Sequence, residues 1–158
     1  MVTDNVICRW CIDDLILDVM PTDQKILGFS NRWYEEAIQH KVNHQLEESI
    51  SIFSVTAPYF LATKLEAFKC RSNHDYVASH DLEDITAVLD GRPELVTEIR
   101  YTPSDLYNYL CTEVKQLLSN QQFLSALHGH LNDYGSIAYD RDYIVTERLR
   151  KITADVSS

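Results

Sequence analysis

The chain has 158 residues and a formal charge of −10, from 14 Lys and Arg against 24 Asp and Glu, which is one ordinary domain's worth of chain. With 45% hydrophobic residues and only 4 Gly and 4 Pro, it is excluded from the disordered, collagen-like and low-complexity classes. No window approaches the ~18 consecutive apolar residues of a membrane helix, and the start MVTDNVICRW lacks the basic segment and apolar core of a signal peptide, so the expectation is a cytoplasmic protein with no membrane association.

Residues 6–11 and 15–20 are short apolar-rich runs separated by Ile12-Asp13-Asp14 and closed by Pro21, and they read as a β-hairpin. Cys8 and Cys11 have the C-x-x-C spacing there. No second Cys or His pair follows at zinc-ribbon distance, so these two, with Cys70 and Cys111, read as reduced packing thiols. After a turn at Gly28, Ser30 or Asn31 can cap a helix in which Trp33, Ala37, Ile38, Val42 and Leu46 recur at helical spacing, with Glu35 and Glu36 favourable near its start. Residues 49–55, where Ile50 and Ile52 alternate with Ser, read as a strand. The first third is therefore expected to be β-β-α-β.

Pro58 suits the first turn of a helix that carries Leu61, Leu65 and Phe68. Ser79 precedes a helix over 81–89 with Leu82, Ile85, Val88 and Leu89 on one side and Gly91 as its stop. Pro93 opens a short helix through Ile99, and Thr102-Pro103 opens one carrying Leu106, Leu110, Val114 and Leu117. Residues 123–131 and 143–152 complete the helices. Arg148, Arg150 and Lys151 form a small cationic cluster that reads as a solvated helix face, and no basic stripe appears anywhere. Binding of nucleic acid driven by counterion release from many phosphates has little support for that reason. The expected fold class is α+β: a small mixed or antiparallel sheet region over 1–56, then a helical bundle over 57–158, together one compact unit.

Several residues stand where local pattern does not demand them. Asp18 interrupts Leu15-Ile16-Leu17-Asp18-Val19-Met20, an otherwise apolar strand. Two readings are open: an edge charge that discourages aggregation, or a carboxylate at the mouth of a sheet that holds a divalent cation. Lys64 and Arg71 lie nearly two helical turns apart beside the apolar stripe of their helix. They either snorkel beside the core or receive phosphates, Lys as a point charge and Arg as a fork. His74, Asp75, His80, Asp81 and Asp84 gather at the start of the next helix, where Asp81 and Asp84 share a face. At least one of these two is expected to pair with Lys64 or Arg71, because charges of both signs on neighbouring helices are stable when matched. His40, His44, His128 and His130 have no accompanying carboxylate at ligand spacing and read as non-functional.

The strings Asp18-Val-Met-Pro, Ala57-Pro-Tyr-Phe-Leu-Ala-Thr-Lys64 through Arg71, and Ser79-His-Asp81-Leu-Glu-Asp84-Ile resemble bacterial nucleotidyltransferases of the abortive-infection toxin type, in the polymerase-beta-like superfamily. The resemblance covers about residues 5 to 100. It implies that Asp18 is similar to the third carboxylate of a Mg²⁺ site, that Lys64 and Arg71 contact the phosphates of a nucleoside triphosphate, and that Asp81 and Asp84 orient Lys64. The family's Gly-Ser turn and paired aspartates would stand upstream of Asp18, where this chain has no Gly at all, and the adjacent Asp13 and Asp14 fall in the hairpin loop.

What the resemblance implies is therefore the later part of a nucleotidyltransferase. It would pass a nucleotidyl group to an RNA or protein hydroxyl only with aspartates from another chain. The other reading is a non-catalytic remnant or nucleotide-binding module. A sheet without its leading strand presents an unpaired edge, so a homodimer or larger assembly is expected, with Trp10 near the contact.

Overall fold

The computed structural model describes residues 9–23, 25, 31–71, 75–131 and 138–154. The chain divides into two compact units, Met1–Asn31 and Arg32–Ser158. Cys8, Gly28, Ser30 and His74 lie outside the described residues.

In the first unit, strands β1 (Arg9–Ile12) and β2 (Leu15–Asp18) pair antiparallel, with Arg9 opposite Asp18 and Ile12 opposite Leu15. Asp13 in the two-residue turn takes φ 52°, a left-handed conformation that Asp tolerates better than most residues. All eight strand residues are exposed, Trp10 at 65% and Leu17 at 53%.

The second unit begins with the short helix α1 (Tyr34–Gln39), which buries Ala37 behind Trp33. The chain then leaves the helix. Val42 and Leu46, which sequence spacing places on a continued helix, belong instead to strand β3 (Val42–Glu47). It pairs antiparallel with β4 (Ile50–Ser54) across the turn residues Glu48 and Ser49, with an irregularity between Gln45 and Glu47. The physical reason is local: Val42, His44 and Leu46 also satisfy a period of two, and a strand two residues away offers a full ladder of partners. The expected single sheet is likewise corrected, since β1–β2 and β3–β4 are separate two-stranded antiparallel sheets.

Among the described residues six further helices follow: α2 (Ala57–Arg71), α3 (His80–Gly91), α4 (Leu95–Arg100), α5 (Ser104–Ser119), α6 (Gln121–Leu131) and α7 (Ala138–Thr153). The chain is thus α+β and predominantly helical. Apolar residues at helical spacing build one core. Leu61, Leu65 and Phe68 of α2 meet Leu82, Ile85 and Leu89 of α3, and Leu106, Leu110 and Val114 of α5 meet Val145, Leu149 and Ile152 of α7. Each such side chain contributes roughly 1.5–3 kcal/mol when fully buried. Helices α2 and α3 pack directly on each other, and this pair positions the charged residues. No helix among the described residues is long and apolar enough to cross a membrane.

Candidate functional site

Ser79 fixes where α3 begins. Its hydroxyl accepts a hydrogen bond from the Leu82 N–H at 3.3 Å, which satisfies one of the helix's free donors. Upstream, the Asp75 carboxylate accepts from the N–H groups of Val77 (2.9 Å) and Ala78 (3.0 Å), and those bonds hold its pKa below the usual carboxylate value. The loop is thereby set so that the first turn of α3 lies against the side of α2.

Four charged residues meet there. Lys64 Nζ donates to Asp81 at 3.4 Å and is also ion-paired with Asp84. Arg71 holds both carboxylate oxygens of Asp81, at 3.1 and 3.2 Å. Asp81 is buried despite its charge, at 9% exposure, and the one Arg71 nitrogen that donates to both its oxygens, together with the ammonium of Lys64, is what makes that burial tolerable. The expected pairing between the two helices is present. Lys64, Arg71, Asp75, Ser79, His80 and Asp81 line a cleft of about 540 Å³. Asp84 borders the neighbouring depression with Glu83 and Asp90, reaching Lys64 from the other side. Sequence reasoning missed Phe60, whose ring lies 5.6 Å from Lys64 Nζ; the i, i+4 spacing of an aromatic and a cation on one helix was the available signal.

Asp18 belongs to the other unit. Its two oxygens accept from Arg9 Nε (2.7 Å) and from a second Arg9 nitrogen (2.9 Å), a bidentate pair across the hairpin. Hydrogen bonding from that guanidinium holds the carboxyl below its usual pKa. This is the geometry of a cross-strand opposite-charge pair.

The chain's Gly-Ser pair, Gly135-Ser136, stands far downstream of Asp18 and outside the described residues. Asp142 after it sits on a helix, not a strand, and its carboxylate is 2.6 Å from His128 Nδ1. Among the described residues no group of three or more His, Cys, Asp or Glu side chains could hold a metal ion. Asp18 is engaged by a guanidinium, and Asp81 by a guanidinium and an ammonium. The described residues therefore do not fit a Mg²⁺ ion, whose preferred octahedral shell needs carboxylate oxygens turned to it. The chain matches no family model, and no curated protein or solved structure is significantly similar to it.

Proposed function

We propose that the chain is a nucleotidyltransferase-like protein whose α2–α3 cleft receives the phosphates of a nucleoside triphosphate. Transfer of a nucleotidyl group to an RNA or protein hydroxyl would require metal-binding aspartates from another chain. One observation carries the reading: Lys64, Arg71 and Asp81 line a single open cleft, and Asp84 reaches the same ammonium. Arg71 is half exposed, which leaves its guanidinium within reach of a phosphate while Asp81 stays paired and Asp84 keeps Lys64 in place. Lys64 and Arg71 are then the phosphate contacts and Asp81 and Asp84 the residues that orient Lys64. Asp18 has the role of a metal ligand only if Arg9 releases it.

A specific observation favours a second reading, that of a nucleotide-binding or interaction module without catalysis: each oxygen of Asp18 accepts from Arg9, and among the described residues no group of three or more His, Cys, Asp or Glu side chains could hold a metal ion. Incubation with each labelled nucleoside triphosphate, Mg²⁺ and bulk RNA, in a lysate of the source cells that supplies any second chain, separates the two. Label transfer that disappears in Asp18→Ala supports the enzyme. Nucleotide binding lost in Lys64→Ala and Arg71→Ala, with no transfer, supports the module, and a chain that binds no nucleotide at millimolar concentration overturns both.

The proposed partner of the β1–β2 hairpin is a second copy of the chain. Trp10, Ile12, Leu15, Ile16 and Leu17 are all more than half exposed, and a two-stranded sheet is marginally stable alone. A two-fold pairing closes such a surface without open-ended growth.

A further inference from the structure

On the reading that a second copy covers β1–β2, we propose that the surface receiving that hairpin is strand β4: each copy lays its β2 antiparallel to β4 of the other. Among the described residues each hairpin is a two-stranded sheet of its own, so β2 and β4 both present an edge with no strand beside it. Backbone N–H and C=O groups along such an edge are a ready template for another strand. A reciprocal contact forms the same seam twice about a two-fold axis and closes both hairpins at once.

Composition picks these two edges, and side-chain alternation sets their register. No residue from Ser49 to Thr56 is charged, and β4 exposes Ile50, Ile52 and Phe53 at 47% to 61%. Strand β2 is uncharged from Leu15 to Leu17, whereas β3 bears Glu47 and adjoins Lys41, and β1 opens with Arg9. Charges on an edge discourage strand addition, so β2 and β4 are the unguarded pair. Cross-strand partners share a face, which puts Trp10 and Leu17 with Ile12 and Leu15 on one side of the first hairpin. In β4, Ile50 and Ile52 point one way and Phe53 the other. Setting Leu17 opposite Ile52 places Ile16 opposite Phe53, so apolar side chains meet on both faces. A shift of one residue either way sets Asp18 against Ile50 or Ile52 instead.

Charge sets the direction and commits the seam to a second copy. The tips of the two hairpins are acidic, Asp13-Asp14 in one and Glu47-Glu48 in the other. A parallel arrangement would bring these four carboxylates side by side. The antiparallel one carries Asp13-Asp14 past Ser54 to the foot of the other hairpin, where Lys41 stands one residue before Val42, the partner of Ser54. The Lys41 ammonium donates to the Ile38 carbonyl at 3.3 Å and lies 5.0 Å from the Phe53 ring of β4, with no carboxylate among its described partners. At the opposite end Glu47-Glu48 meets Arg9 and Asp18, whose charges already cancel each other. The chain thus carries both halves of a charge-matched seam, although its net charge is −10.

Mild oxidation of a mixture of two single variants, Leu17→Cys and Ile52→Cys, tests the seam at tens of micromolar, with peptide mass mapping to identify the linked residues. In such a mixture a link between positions 17 and 52 can form only between two chains. Its yield should be at least about tenfold above that from Leu17→Cys mixed with Gln45→Cys, which lies on the guarded strand β3. Lys41→Glu should weaken the dimer about tenfold in sedimentation, because the contact occurs twice, and adding Asp14→Lys to it should restore the affinity. A wild-type monomer at tens of micromolar overturns this pairing together with the second copy itself. A dimer without the preference for linking 17 to 52, or one indifferent to Lys41→Glu, overturns this pairing alone and leaves the second copy standing.

Discussion

The helical core and the two hairpins use apolar residues in opposite ways. In α2 and α3, Leu61, Leu65, Leu82, Ile85 and Leu89 are at most 2% exposed, whereas Ile52, Phe53 and Leu46 of β3–β4 are 47% to 61% exposed. Charges follow the same division. Lys64 and Arg71 find partners on another helix, while Arg9 is paired with Asp18 and His44 with Ser54 inside their own hairpins. The helices can therefore hold themselves together, and the hairpins are the elements with surface to offer something else.

The largest effect that would sharpen this contrast comes from the core. Leu82→Ala should cost about 2–5 kcal/mol, because the side chain is wholly buried and its cavity collapses only in part. Ile52→Ser should stay within about 0.5 kcal/mol, as surface changes do. Urea denaturation followed by circular dichroism measures both, and equal losses would break the comparison by showing that something covers the hairpin. Next in size is assembly. Sedimentation at tens of micromolar should show a dimer or larger species in the wild type and a monomer for Trp10→Asp. A wild-type monomer at that concentration removes the second copy as the partner of β1–β2.

A third effect tests the charged helix pair. Asp81→Asn should cost about 1–3 kcal/mol, since it leaves Arg71 and Lys64 facing a neutral buried amide; the exposure of Arg71 keeps the loss below that of a fully buried pair. Asp84→Asn should cost less, because Asp84 is the more exposed partner of the same lysine. Denaturant midpoints with unchanged slope would give both values, and the reverse ranking would assign the anchoring role to Asp84.

Legibility in the sequence divides along the same line. The core helices announce themselves because their signals agree: Leu61, Leu65 and Phe68 share a stripe, Pro58 sits in a first turn, and Ser79 caps α3 as its position suggests. The pairing of Lys64 with Asp81 was legible from charge and spacing alone. The β3–β4 hairpin was not, because Glu48-Ser49 is not a turn sequence of the Asn-Gly kind and Val42 and Leu46 stand four apart, a spacing that fits a helix equally well. The Arg9–Asp18 pair was hidden because register decides it, and register is set by the turn at Asp13, whose left-handed backbone leaves little mark on composition.

The smallest expected effect concerns the contact between Tyr59 and Glu36. Tyr59 is 2% exposed, and its hydroxyl donates to Glu36 at 3.3 Å. Burial first, and then the negative charge of Glu36, raise its pKa above the ordinary 10.0. A raised folded-state pKa means that above pH 10 the unfolded chain gives up this proton while the folded chain retains it. The unfolded state then binds fewer protons, so the contribution is complete below pH 10 and is lost as pH rises through the folded value. Denaturant midpoints measured on either side of pH 10 should fall more steeply for the wild type than for Tyr59→Phe, which has no proton to lose and keeps the ring beneath His40. Identical slopes would mean that Tyr59 ionises alike in both states, and that its hydroxyl is open to water in the folded chain.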